Sequence, residues 1–232
     1  MKISNHINTG FDEDLKTLNN NIAKLGGLAE TQLYETMQSL ADKNVYKFNK
    51  IINRDKKLDA LEDEINKKVV EFLAIWSPIA SDLRNVLVAH KISSILERIG
   101  DYSKNISRRS LIIIEDNHFS TLPVNIIGLG EHVQKLLHNV LDAYMERDVD
   151  LAMEIWSQDI DIDRLYLSLF KELTSIMHDN PEEIKDLTHM VFISKNLERI
   201  GDHATAIAKQ IYFLVNGSMP PDHRPKAGFD ID

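Results

Sequence analysis

Four acidic pairs, each spaced four positions apart, carry the chemistry of this chain: Asp55 with Asp59, Glu97 with Asp101, Asp159 with Asp163, and Glu198 with Asp202. On a helix, side chains at i and i+4 stand one above the other on a single face. Glu62 prolongs the first pair, whereas Tyr166 holds the matching place after Asp163. Like charges at this spacing weaken a bare helix, so an arrangement made four times calls for a compensating cation. If the helix with Asp55 and Asp59 faces the one with Glu97 and Asp101, four carboxylates converge. The same holds for Asp159, Asp163, Glu198 and Asp202. An all-oxygen ligand set suits hard cations such as Mg, Mn, Fe or Ca. The alternative is a solvated helix face, on which Arg98 and Arg199 form surface ion pairs worth about 0–1 kcal/mol.

Other residues offer less. Gly100 and Gly201 precede the last acid of their pairs and cost helix stability, which close helix packing or a bulky ligand would explain. His203 follows Asp202, but Tyr102 follows Asp101, so a structural role is expected for it, and likewise for His90. Trp76 and Trp156 read as core or interface aromatics. Glu115 and His118 form a Glu-x-x-His of the di-iron type, but only once and in a linker, where di-iron chemistry needs two on helices. No nucleophile–base arrangement, glycine-rich phosphate loop or zinc signature is present, so a non-enzymatic protein is expected. The rivals are a helical-bundle metalloprotein with di-iron-like activity and a purely structural helical scaffold.

The pairs are positioned by a duplication. Leu-Glu-Arg-Ile-Gly-Asp occurs at 96–101 and again at 197–202, an offset of 101. Ile92, Ser93 and Ile106 match Ile193, Ser194 and Ile207 at the same offset. Earlier in the repeat the offset is 104, so three residues are lost at one helix–helix turn, where loop lengths should differ. Apolar residues recur at helical three/four spacing in every long segment, and no stretch alternates as a strand. The first helix covers 11–41 and is weakened locally by Gly26 and Gly27. Asn44 caps a second helix that ends near Trp76. Ser77 and Pro78 then open a third, which runs to about Ile114. After the linker, Asp148 caps the fifth helix, and Asn180, Pro181, Glu182 and Glu183 form the N-terminal signal of the sixth. The expected fold is all-α: two tandem three-helix bundles made of six long antiparallel helices. Their divisions are a loose arm at 1–10, a first repeat at 11–114, a linker at 115–124, a second repeat at 125–217 and a disordered tail at 218–232.

Bulk composition narrows the function further. The 232 residues carry a formal net charge of -9, which argues against non-specific nucleic-acid binding. There is no cysteine, so disulfides and thiolate metal sites are excluded. The longest aliphatic run, 111–114, is far too short to cross a bilayer. A soluble cytoplasmic protein is expected, with membrane contact only peripheral and through partners.

The residues at 77–84 (Ser-Pro-Ile-Ala-Ser-Asp-Leu-Arg), the first hexapeptide, and Lys195 to Thr205 around the second together resemble the PhoU family. The resemblance extends over about 11–217. It implies two three-helix bundles, a homodimer or larger assembly, and negative control of the phosphate-starvation response. It also implies partners: the ATPase subunit of a phosphate ABC transporter and a phosphate sensor histidine kinase. Some members hold metal clusters on the acidic pairs, here Asp55, Asp59, Glu97, Asp101, Asp159, Asp163, Glu198 and Asp202. The implied cofactor is a divalent or ferric ion (Mg, Mn, Fe or Zn). One departure is that Ala206-Ile207-Ala208-Lys209 stands where the family commonly has Asn-Ile-Ala-Glu. With Tyr166 also in place of a carboxylate, the first site is expected to be the better built of the two.

Overall fold

The structure, a computed structural model, describes residues 9–116 and 124–221. The arm at 1–8, the linker at 117–123 (with His118 of the Glu-x-x-His) and the tail at 222–232 lie outside the described residues. Six helical rods make up the rest, with no strand among the described residues. In chain order they are α1 (Thr9–Ala41), the pair α2 (Val45–Arg54) and α3 (Lys56–Trp76), and α4 (Ala80–Asp116). Then come α5 (Val124–Glu146), the pair α6 (Val149–Ser157) and α7 (Asp159–Asp179), and, after a 3₁₀ turn at Pro181–Glu183, α8 (Ile184–Asn216).

The second rod of each half, expected as one helix, is interrupted at a single residue. Asp55 keeps right-handed helical angles, and its carbonyl accepts from both Leu58 N (2.8 Å) and Asp59 N (3.2 Å). The turn tightens there without changing the course of the chain. Gln158 is the equivalent joint between α6 and α7, with Asp161 N donating to its carbonyl at 3.0 Å. The first joint is itself a buried aspartate, Asp55, and the second directly precedes one, Asp159.

The caps follow local chemistry, with two exceptions. Asn44 accepts from Lys47 N and Asp148 from Leu151 N, each at 3.0 Å, as their positions before a helix predict. Asn180 does not cap α8. Its amide donates instead to Ile176 O (3.3 Å) at the end of α7, and Pro181 opens the 3₁₀ turn rather than the first α-helical turn. Ser77 closes α3 in the left-handed region (φ 44), and Pro78 stays outside both helices, with α4 starting at Ala80. Three residues, 77–79, join α3 to α4, and four, 180–183, join α7 to α8 with a 3₁₀ turn among them, so the turns differ in length but not by the three-residue shortening that the change in offset implies. Gly26 does not break α1; a Cβ there would lie 2.7 Å from Leu141 Cδ2, so the bare backbone admits a side chain from the other half.

α1, α2/α3 and α4 pack as one bundle, and α5, α6/α7 and α8 as the other. The long helices α4 and α8 lie against each other at the centre, and α1 also meets α5. Ile92, Leu96, Ile99 and Ile106 of α4 and Ile193, Leu197, Ile200 and Ile207 of α8 are all fully buried. Each contributes on the order of 1.5–3 kcal/mol by burial. The buried apolar residues form one cluster running through both halves. No helix among the described residues is long and apolar enough to cross a membrane.

Candidate functional site

Two carboxylate surfaces are built where the interrupted rod of each half faces a repeated hexapeptide. In the first, Asp55 is only 3% exposed. Its Oδ1 accepts from Gln32 Nε2 of α1 at 3.0 Å, and the same nitrogen donates to Gly100 O at 3.0 Å. Its Oδ2 accepts from Lys104 Nζ, which also donates to Asp101 Oδ1 at 2.5 Å. An ammonium from α4 thus stands between carboxylates of two rods. Burial alone would lower the pKa of Lys104, but its hydrogen bonds to Asp101 and Asp55 prevail and raise it. Around this core the remaining acids crowd one another. Burial, reinforced by Asp101, Asp59 and Glu62, pushes Glu97 up to about 7. Burial and then Asp55 raise Asp59 above the usual carboxylate range, against the pull of Lys104.

The second surface differs at its centre. Asp159 is 4% exposed and accepts from Thr205 Oγ1 at 3.2 Å. Thr205 is the duplicate of Lys104, so a hydroxyl stands where the first half has an ammonium. Glu198 is 8% exposed; Lys195 Nζ donates to its Oε1 at 2.6 Å, while its buried Oε2 has no hydrogen-bond partner among the described residues. Lys195 comes from the rim, with its ammonium 5.1 Å from the centre of the Tyr166 ring. Burial, then Glu198 and Asp163, push Asp202 up to about 6, and burial with Glu198 raises Asp163.

Asp55, Asp59, Glu97 and Asp101 therefore gather across two rods, as do Asp163, Glu198 and Asp202, while Asp159 is tied to Thr205 of α8. As placed, no three His, Asp or Glu side chains among the described residues stand in a ligating array. A cation would have to draw the carboxylates inward. The donor chemistry fits a hard cation better in the second half, where an acidic oxygen is buried without a partner. Each half already brings one lysine to its acids, Lys104 to Asp55 and Asp101 in the first and Lys195 to Glu198 in the second.

Gly100 and Gly201 serve close packing. A Cβ on Gly100 would lie 2.6 Å from Leu58 Cδ2 and 3.7 Å from Asp55 Oδ1, and one on Gly201 would lie 2.4 Å from Ile162 Cδ1. His203 stacks on Tyr102 (centroids 5.4 Å apart) at the junction of the halves, so the duplicate positions meet each other rather than a site. Burial, with Arg98, Arg199 and Lys91 nearby, lowers its pKa. His90 bonds Asn66 at 2.8 Å, Trp76 donates to Asp14 at 2.9 Å, and Trp156 is buried. Sequence reasoning missed Gln32, Lys104, Lys195 and Thr205. Gln32 interrupts the apolar stripe of α1 between Ala29 and Leu33, and Lys104 lies three residues after Asp101, an opposite-charge spacing that could have marked it.

Comparison with known proteins gives a consistent likeness over both halves. A family model described as the PhoU domain matches residues 22–110 and again 126–211. A Zymomonas mobilis protein named phosphate-specific transport system accessory protein PhoU homolog is 41% identical over 218 residues, covering 94% of this chain and 91% of its own length. The protein of the same name from Caulobacter vibrioides (strain NA1000 / CB15N) is 38% identical, covering 97% of each. The crystal structure of PhoU from Pseudomonas aeruginosa superposes with a TM-score of 0.87 at 31% identity, over 90% of this chain and 100% of that one. That of the phosphate transport system regulatory protein PhoU from Streptococcus pneumoniae gives 0.84 at 27%, over 91% and 99%.

Proposed function

The chain belongs to the PhoU family, and on that premise we propose that it is an accessory and regulatory protein of phosphate uptake. The observation that carries this reading is the match of both repeats to one family model, so that each Leu-Glu-Arg-Ile-Gly-Asp segment lies inside a matched domain. In the finer reading it is a cytoplasmic, non-catalytic adaptor and a negative regulator of the phosphate-starvation response. It joins the ATPase subunit of a phosphate ABC transporter to a sensor histidine kinase and acts as a homodimer. The names of relatives as transport accessory proteins support the transporter side. Deleting the gene tests the regulatory reading: starvation genes should then be expressed in high phosphate. Normal repression in the deletion strain would end it. Crosslinked pull-downs at high and low phosphate should recover the transporter ATPase and the kinase.

Metal binding completes the proposal. Asp159, Asp163, Glu198 and Asp202 would hold the ion, supported by the partnerless Glu198 Oε2 and by the mutual repulsion that raises Asp163 and Asp202. A hard cation held there would supply positive charge among these acids. Asp55, Asp59, Glu97 and Asp101 would take an ion only once Lys104 swings aside. Metal analysis after reconstitution with Mg, Mn, Fe or Zn decides the matter. The expected result is at least one ion per chain, reduced by Glu198→Gln with Asp202→Asn. Unchanged, metal-free protein would favour the scaffold reading, in which the acids only solvate the helices.

A further inference from the structure

Where α4 and α8 meet, an open groove of about 540 Å³ is lined by four cations and no carboxylate. Arg108 and Arg109 come from α4, and Lys195 and Arg199 from α8. Such a cluster is unexpected in a chain with a net charge of -9. Lys195 is already paired with Glu198. The three guanidiniums make no hydrogen bond to a carboxylate among the described residues. Arg109 lies over the Phe192 ring (4.0 Å to its centre), with Nη1 3.3 Å from His189 Nδ1, and Arg199 lies 5.8 Å from the centre of Tyr102. Burial lowers the pKa of Arg109, so its charge stands partly desolvated without an anion beside it.

Asn196, only 8% exposed, also lines the groove, and its side chain makes no hydrogen bond among the described residues. Its amide, like the guanidiniums, offers donors to the groove. Arg108 and Arg199 have basic duplicates in Lys209 and Arg98, but the rest of the polar set is not repeated. The duplicate positions of Asn105, Arg109, Lys195 and Asn196 hold Ala206, Gln210, Ser94 and Ile95. The far end of the groove is apolar, with Ile112 and Phe192 both exposed. Guanidinium forks match the oxygens of phosphate and carboxylate groups, and several of them together are best served by a group with three acceptor oxygens. The volume falls within the roughly 300–1,000 Å³ of small-molecule sites, more than a bare inorganic anion fills.

We propose that this groove binds a phosphorylated organic small molecule, with its phosphate held by Arg108, Arg109 and Arg199 and its organic part against Ile112 and Phe192. The groove meets the second carboxylate surface at Lys195, which pairs with Glu198, and its test does not depend on gene regulation. Titration calorimetry of the full-length protein with adenosine monophosphate, ribose 5-phosphate, orthophosphate and citrate measures it. At least one of the two organic phosphates should bind more tightly than orthophosphate or citrate. Arg108→Ala and Arg199→Ala, both at exposed positions, should each weaken that binding by about tenfold or more. Asn105→Asp, which sets a carboxylate in the groove, should abolish it. Lys209→Ala, at the duplicate position of Arg108, should leave it unchanged. Failure of both organic phosphates to bind, equal binding of orthophosphate or citrate, or indifference to the arginine substitutions would overturn the proposal.

Discussion

Lys104 and Thr205, duplicate positions in the repeat, decide the electrostatics of the two carboxylate surfaces. Lys104 neutralises the buried Asp55 and reaches Asp101, whereas the side chain at the duplicate position, Thr205, donates a hydroxyl to Asp159. Removing one partner of a buried charge pair strands the other, so Lys104→Met should cost about 3 kcal/mol in urea unfolding of metal-free protein. Manganese should then restore more stability to the variant than to the parent. A loss below about 1 kcal/mol would mean that Gln32 alone satisfies Asp55. The crowded acids give a pH signature. Glu97 rises from 4.5 to about 7 and Asp202 from 3.8 to about 6, so the folded state keeps these protons where the unfolded chain has lost them. Their contribution is fully present below the unfolded values and is lost as pH rises through the folded ones. Metal-free protein should therefore lose stability between pH about 4.5 and about 7 on their account. Glu97→Gln should flatten that slope, and at neutral pH it should add on the order of 0.5 kcal/mol, solvent screening allowed for. A steeper slope in the variant would contradict this assignment.

Between elements, glycine sets how closely the rods approach. Gly100 and Gly201 leave room for Leu58 and Ile162, and so bring α3 and α7 near enough for their acids to face those of α4 and α8. In Gly100→Ala a gain of about 1 kcal/mol in helix propensity opposes overpacking that costs about 1–3 kcal/mol. The net should be a loss of about 1 kcal/mol, reduced when Leu58→Ala is combined with it, because Leu58 Cδ2 is the atom that clashes. Gly27, on the exposed face of α1 with nothing within 4 Å of an added Cβ, should behave oppositely. Gly27→Ala should raise the unfolding midpoint, consistent with a gain of about 0.5–1 kcal/mol. If both glycines stabilise on replacement, packing is not what keeps Gly100.

For the whole molecule, the two bundles share one apolar core along α4 and α8. Domains joined by a large hydrophobic interface lose their independence, in contrast to units tethered by a linker. Scanning calorimetry should give one transition, with calorimetric and van't Hoff enthalpies in agreement. Two resolved transitions would show that the repeats fold separately. The groove with its arginines lies on this same α4–α8 junction, so a ligand there would touch both repeats at once.

The duplication, the all-α class and the six rods were legible in the sequence, as was the facing of acidic pairs across two rods in the first half. Helical periodicity and four-residue spacing are local properties, and a repeated hexapeptide fixes which helix answers which. Sequence spacing could not tell that Lys104 turns toward Asp55, forty-nine positions earlier in the chain. Nor could it tell that Gln32 closes the same network from α1, or that Glu198 keeps a buried oxygen without a partner. The order we propose for the two sites rests on those contacts, and spacing was equally blind to the meeting of Arg108 and Arg109 with Arg199 across the junction. Charge, burial and hydrogen bonding at such places depend on which atoms the packing of separate rods brings within a few ångströms, and only the tertiary structure sets that.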